Sequence, residues 1–189
     1  MILIFSAPSG SGKSTLVNYL LQTRDDLRFS VSCTTRQPRG QEQNGREYYF
    51  LTNDRFEQLI AEDAFIEYEQ VYSGIYYGTL RSEVERIEAQ GHHVVFDVDV
   101  QGGKNLKRIF GQRALSVFVA PPGIDELRRR LIARATDAPE KIEERVQKAE
   151  QELQEKPFFD VVIVNDNLAA AQQELSQRVT AFLNSTKSK

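Results

Sequence analysis

Five apolar residues in a row, 1–5, open the chain, and a polar, glycine-rich stretch follows at once. The run is too short to span a membrane and has the length of a strand buried on both faces. Across residues 16–21 the apolar positions fall at helical spacing, so strand, glycine-rich turn and helix succeed one another. Residues 29–32 alternate as a strand does. Residues 33–45 lose apolar periodicity around Pro38, Gly40 and an Asn44-Gly45 turn signal, and 48–51 return to strand character. Asn53 or Asp54 caps a short helix with Phe56, Leu59 and Ile60 on one face. Residues 65–72 predict a strand, Ser73-Gly74 a turn, and 75–79 a further strand.

Beyond this point helix and strand alternate. Residues 80–90 predict a charged amphipathic helix ended by Gly91, 94–99 a buried strand, 101–110 a helix, and 114–120 an apolar strand closed by Pro121-Pro122-Gly123. A basic helix over 124–135 breaks at Ala138-Pro139, and a second charged helix, 140–155, stops at Pro157. Residues 159–164 form the last core strand and 168–183 a closing helix, with a frayed tail at 184–189. The pattern predicts an α/β fold: a parallel sheet flanked by helices, interrupted by a small, mainly antiparallel insertion. Residues 1–31, 81–123 and 156–189 make the core, 32–80 the insertion, and 124–155 a helical lid. Ligands are expected at the carboxyl ends of the core strands.

Composition narrows the class. The 189 residues are 40% hydrophobic and 27% charged, ordinary for a soluble globular domain. A net charge of −3 speaks against a bulk nucleic-acid binder, which carries a basic excess. No apolar run approaches the ~20 residues of a membrane helix, so no membrane partner is expected. The first strand runs straight into the glycine-rich turn, so no signal peptide is expected. Cys33 is the one cysteine, which excludes a disulfide framework and fits a reducing cytoplasm. It reads as a small side chain, not a nucleophile. His92 and His93, the only histidines, do not make a metal cluster.

Chemistry enters at Ala7, Pro8, Ser9, Gly10, Ser11, Gly12, Lys13, Ser14 and Thr15, between the first strand and the first helix. Gly10 and Gly12 allow the backbone to turn its N–H groups inward around a phosphate, and the helix adds its positive end. Lys13 reaches the β- and γ-phosphates and the Ser14 hydroxyl can ligate Mg²⁺. Ala7 stands where the strict phosphate-loop pattern has its first glycine. Arg36, Arg39 and Arg46 fall within eleven residues of each other. They form either a second phosphate site, matched by guanidinium forks, or a solvated surface run. Asp97 and Asp99 are two apart on a predicted strand and so share a face. They either hold Mg²⁺, or one of them caps the following turn. Arg128, Arg129, Arg130, Arg134 and Arg145 crowd the two late helices. Most belong to helix surface, while one or two are placed to neutralise a migrating phosphoryl group.

Taken together, these stretches resemble the guanylate kinase family over essentially the whole chain. The likeness rests on the phosphate loop, on Ser32-Cys33-Thr34-Thr35-Arg36-Gln37-Pro38-Arg39, and on Asn44-Gly45-Arg46-Glu47-Tyr48-Tyr49-Phe50. It continues through Phe65-Ile66-Glu67-Tyr68, Ser73-Gly74-Ile75-Tyr76-Tyr77-Gly78-Thr79, Asp97-Val98-Asp99-Val100-Gln101-Gly102 and Val164-Asn165-Asp166. The resemblance implies Mg²⁺- and ATP-dependent phosphorylation of GMP or dGMP to the diphosphate, in purine nucleotide metabolism and GMP recycling. It also implies roles. Arg36, Arg39, Tyr48 and Tyr77 hold the GMP phosphate. Ser32, Glu67, Thr79 and Asp99 face the guanine. Asp97 lies near the nucleotide and, with Ser14, the metal. Arg134 and Arg145 are the lid arginines, and Asn165 lies near the adenine. Ala135 departs from a glycine the family often has after the lid arginine. Three alternatives stand beside this: a kinase of the same architecture acting on a phosphorylated sugar or another monophosphate, a non-catalytic guanylate-kinase-like module that binds peptides, and a GTPase switch. The last would need an Asn-Lys-x-Asp guanine reader, which is absent. Oligomeric state stays open.

Overall fold

The structure, a computed structural model, describes residues 1–72, 74–133 and 139–185. The turn expected at Ser73, the lid arginine Arg134, the polar break around Ala135 and the end of the tail lie outside them.

Nine strands and seven helices are assigned among the described residues. β1 (Ile2–Ser6) is followed by α1 (Lys13–Thr23), β2 (Leu27–Phe29), β3 (Cys33–Thr34), β4 (Tyr49–Phe50), α2 (Asn53–Ala61), β5 (Phe65–Tyr72), β6 (Ile75–Leu80) and α3 (Arg81–Ala89). Then come β7 (His93–Asp97), α4 (Val100–Phe110), β8 (Ala114–Ala120), α5 (Ile124–Ala133), α6 (Pro139–Gln154), β9 (Val161–Val164) and α7 (Leu168–Ser185). The fold is α/β. Five strands form a parallel sheet in the order β2-β7-β1-β8-β9, and four form a separate mixed sheet in the order β4-β3-β6-β5. The chain divides into two compact units, Met1–Asp25 with Asp97–Lys189, and Asp26–Phe96.

In the first unit every residue of β1 and β8 is buried, which is why both read as mostly apolar runs and not as alternating ones. β1 pairs with β8 from Ile2 opposite Ala114 to Ser6 opposite Phe118. One polar side chain in β8, Ser116, is satisfied by a single carboxylate: its N–H and hydroxyl both donate to Asp160 Oδ2 at 2.8 Å. Lys107 pairs with the same oxygen at 2.8 Å. A second small core joins α5 and α6 through Leu127, Leu131, Val146 and Ala149.

The second unit has an aromatic core of its own. Phe56 stacks on Phe65 with centroids 4.4 Å apart and on Tyr76 at 5.2 Å, and Cys33 and Leu59 pack into the same cluster. Full burial of a side chain of this size contributes roughly 1.5–3 kcal/mol, so this unit carries a sizeable core for a segment of its length. Burial also pushes the Cys33 thiol up to about 12, with the Glu83 charge adding to the effect. The thiol is therefore inert at neutral pH, as its sequence context suggests.

Several elements differ from the sequence-based expectation. The alternation at 29–32 ends early, and β2 is Leu27–Phe29. Within the stretch read as loop, Cys33 and Thr34 form a two-residue strand because both are fully buried. The insertion's sheet is mixed, as expected: β3 pairs in parallel with β4 and antiparallel with β6. Helix α2 is capped by Thr52, whose hydroxyl accepts the Arg55 N–H at 3.2 Å. The strand expected through Asp99 stops at Asp97.

Candidate active site

β1 delivers the chain into the phosphate loop, and the backbone there adopts the conformation its glycines foretell: φ is 95° at Gly10 and 89° at Gly12. Gly12 is constrained twice. Its positive φ disfavours any side chain, and a Cβ would collide with the Asn165 amide. That amide donates from Nδ2 to the Ser11 carbonyl at 2.8 Å. The Asn165 N–H is fixed to the Ala120 carbonyl at 2.8 Å, and its own carbonyl accepts from Arg130 Nη2 at 2.9 Å. Asn165, expected near the adenine, thus braces the loop from behind. The Ser11 hydroxyl is buried without a hydrogen-bond partner in the structure.

Lys13 begins α1. Its ammonium is ion-paired with Asp97 and donates to the Val98 carbonyl at 2.7 Å. Ser14 and Thr15 are exposed in the first turn of the helix. Asp97 comes from the end of β7, whereas Asp99 caps α4, its Oδ1 accepting the Gly102 N–H at 2.7 Å. The two carboxylates therefore do not share a strand face. The capping role left open in the sequence belongs to Asp99, and Asp97 is the one against Lys13. The Asp99 carbonyl also accepts the Ser6 hydroxyl at 2.9 Å, tying β1 to the start of α4.

Arg145, on α6, donates from Nη1 to the Ser9 hydroxyl at 3.3 Å. The neighbouring arginines are engaged with acids: Arg128 with Glu143, Arg129 and Arg130 with Glu126 at 2.7 Å each. Arg129 and Arg130 together hold the Glu126 carboxyl near 2; Arg129 is exposed on the helix surface, while Arg130 also reaches the Asn165 carbonyl. Glu152, which the sequence did not single out, is the acid α6 turns toward this cluster. Burial raises its pKa, the Asp99 charge adds to that, and Lys148 and Lys13 oppose it.

The second unit gathers the other expected residues. Arg36 is 9% exposed, with its guanidinium 4.9 Å from the Tyr48 ring centre and 5.6 Å from that of Phe50. Tyr48 and Tyr77 meet edge-on at 5.9 Å. Glu67 faces Thr79 across the β5–β6 hairpin, and the Thr79 hydroxyl donates to Glu67 Oε1 at 2.9 Å. Ser32 lies just before β3, its carbonyl accepting the Tyr49 N–H at 2.9 Å. Arg39 is exposed. Arg46 is not drawn into the group: it is exposed and pairs with Glu47 at 3.4 Å. The residue the sequence reading missed is Glu42. Its carboxylate forks onto Arg36 at 2.6 and 2.7 Å and is held down to about 2, chiefly by that guanidinium. Arg36 is raised by the same bond. An acid three residues past Arg39, next to a Gly40 turn, was the available signal.

The guanylate kinase family model matches residues 1–182. Guanylate kinase of Bacteroides fragilis is 56% identical over 182 residues, covering 96% of this chain and 89% of the relative. That of Porphyromonas gingivalis is 49% identical over 183 residues, with 96% and 97% covered. The crystal structure of guanylate kinase from Anaplasma phagocytophilum superposes with a TM-score of 0.76 at 30% identity, covering 96% of this chain and 85% of that one. The chain belongs to the guanylate kinase family. It is a nucleotide kinase of that family, and the rivals weighed from the sequence fall away as descriptions of its lineage. No helix among the described residues is long and apolar enough to cross a membrane.

Proposed function

We infer that this guanylate kinase family member transfers the γ-phosphoryl group of ATP to the phosphate of GMP, and of dGMP, releasing ADP. The observation that carries it is a phosphate loop that keeps Gly12, Lys13 and Ser14, with Lys13 ion-paired to Asp97, in a chain matching the family over residues 1–182. A binding module without turnover has no use for that lysine.

Phosphoryl transfer asks the protein for positioning and charge neutralisation more than for covalent chemistry. Lys13 exchanges Asp97 for the β- and γ-phosphates as ATP enters, and the N–H groups of residues 9–15 surround the same oxygens. Arg145, already against Ser9, neutralises the migrating group, a task Arg134 shares. Arg36, Arg39, Tyr48 and Tyr77 hold the acceptor phosphate. Glu67, kept in orientation by Thr79, reads guanine N1–H and the N2 amine, with Ser32 completing the base site of this unit. Asn165 supports the adenine end. Ser14 and Asp97 supply the hard oxygen donors that suit Mg²⁺. No cluster of three or more His, Cys, Asp or Glu able to hold a metal occurs among the described residues. Held by Ser14 and Asp97, Mg²⁺ would offset the negative charge of the transferring phosphates. Residues 32–80 act as the GMP-binding segment and 124–155 as the lid. The buried free thiol of Cys33 suits a reducing cytoplasm.

A coupled assay of ADP formation with GMP, dGMP, AMP, CMP and UMP tests the assignment, with GMP and dGMP expected to be the efficient acceptors. Lys13→Ala is expected to lower kcat by at least ~10²–10³-fold, the loss typical of removing one preorganised charge-stabilising donor, with the circular dichroism spectrum unchanged. Activity within a few-fold of wild type would remove the loop from the reaction.

A further inference from the structure

Arg36 sits in its pocket with one edge already bound. Glu42 takes Nη1–H and Nη2–H as a fork, and Nη1 also donates to the Gln37 carbonyl at 3.0 Å. The same carboxylate accepts the Arg39 N–H at 2.8 Å, while the Glu42 N–H returns to the Arg39 carbonyl at 3.1 Å. One acid therefore fixes both the guanidinium of Arg36 and the backbone turn that carries Arg39. A guanidinium has five N–H donors in a rigid fork. Glu42 and Gln37 use three, which leaves the side-on edge, Nε–H with the remaining Nη2 hydrogen, directed away from Glu42.

Two outcomes are conceivable for an acid so placed. It could stand in for the substrate phosphate and leave when that arrives, or it could stay and aim the arginine. Departure would break three charge-assisted hydrogen bonds and release the Arg39 turn, whereas the side-on edge of Arg36 can take a phosphate with all three in place. We propose that Glu42 is a positioning residue for the acceptor phosphate, holding Arg36 end-on and locking the Arg39 turn so that the side-on edge of Arg36 receives a monophosphate ester dianion. The proposal rests on the assignment of Arg36 to that phosphate.

The test is steady-state kinetics with GMP and ATP, and calorimetric binding of GMP and of guanosine, for wild type, Glu42→Gln, Glu42→Asp and Arg36→Lys. Glu42→Gln keeps the shape but loses the charge and one acceptor. It is expected to raise KM and Kd for GMP by roughly 10- to 100-fold, with KM for ATP and the weak affinity for guanosine within about two-fold of wild type. Glu42→Asp, which keeps the charge on a shorter stem, is expected to fall between them, and it carries the test if the glutamine variant does not fold. A KM for GMP that is unchanged or lowered overturns the proposal, and so does a parallel loss of guanosine binding, which would mean a general collapse of the segment. Arg36→Lys separates the two layers. If it raises KM for GMP while the Glu42 variants do not, only the role of Glu42 fails. If it too leaves KM unchanged, the assignment of Arg36 fails.

Discussion

Thr79 holds one oxygen of Glu67, and that fixes which way the carboxylate presents itself to a base. Guanine offers N1–H and an N2 amine to it, hypoxanthine only N1–H, adenine a lone pair. A charged acceptor left unmatched costs on the order of 2–3 kcal/mol, so IMP should be used roughly 30- to 150-fold less efficiently than GMP by kcat/KM, and AMP worse by ~10⁴-fold or more. Glu67→Gln should narrow the preference, because an amide can donate to adenine N1. A mutant that keeps the full preference would show that another residue reads the base. Glu42 permits a pH test at the same scale. Its folded pKa of about 2 lies below the ordinary 4.5, so the Arg36 pair stabilises fully above roughly pH 5 and is lost as pH falls toward 2. The difference in urea midpoint between wild type and Glu42→Gln should be constant at neutral pH and close progressively below about pH 4.5. A difference that persists to pH 2 would show that the charge is not what stabilises.

The phosphate loop was legible as an element because its geometry is local: two glycines, a lysine and an apolar strand before them suffice. What braces it was not, since Asn165 lies 154 residues from Ser11. The same division explains Asp99. A two-residue spacing implies a shared face only while the strand lasts, and here the strand ends at Asp97 and a helix cap begins. Likewise β3 and its parallel partner β4 are products of burial and long-range pairing, which leave no period in two residues. The loop and its brace should behave as one element. Gly12→Ala meets both the left-handed backbone, ~1–2 kcal/mol, and the Asn165 amide. Asn165→Ala removes the partner of the Ser11 carbonyl at about 1–3 kcal/mol. The double mutant should be more stable than the sum of the singles by ~0.5–3 kcal/mol, because the collision is gone. Additivity in denaturant unfolding would mean the two do not touch in solution.

Each compact unit carries its own set of expected ligands, so each nucleotide should leave its own mark on amide exchange. A non-hydrolysable ATP analogue is expected to slow exchange in residues 9–17 and in α6, and GMP to slow it in residues 33–50 and along β5 and β6. Saturation at about 100 times Kd raises the opening free energy of a binding-competent region by roughly 2.7 kcal/mol. Protection of the phosphate loop by GMP alone would contradict the assignment. The order of the chain adds a consequence for synthesis. The second unit is one uninterrupted segment, Asp26–Phe96, set inside the sequence of the first. It can acquire its aromatic core while the first unit is still being made. β1, apolar but for Ser6, is made well before β8, the neighbour whose pairing with it begins at Ala114. At ~5–20 residues per second, making the residues between β1 and β8 takes roughly 5–20 s, and for that time β1 lacks this neighbour. The nascent chain, rather than the folded protein, is where a chaperone has something to hold.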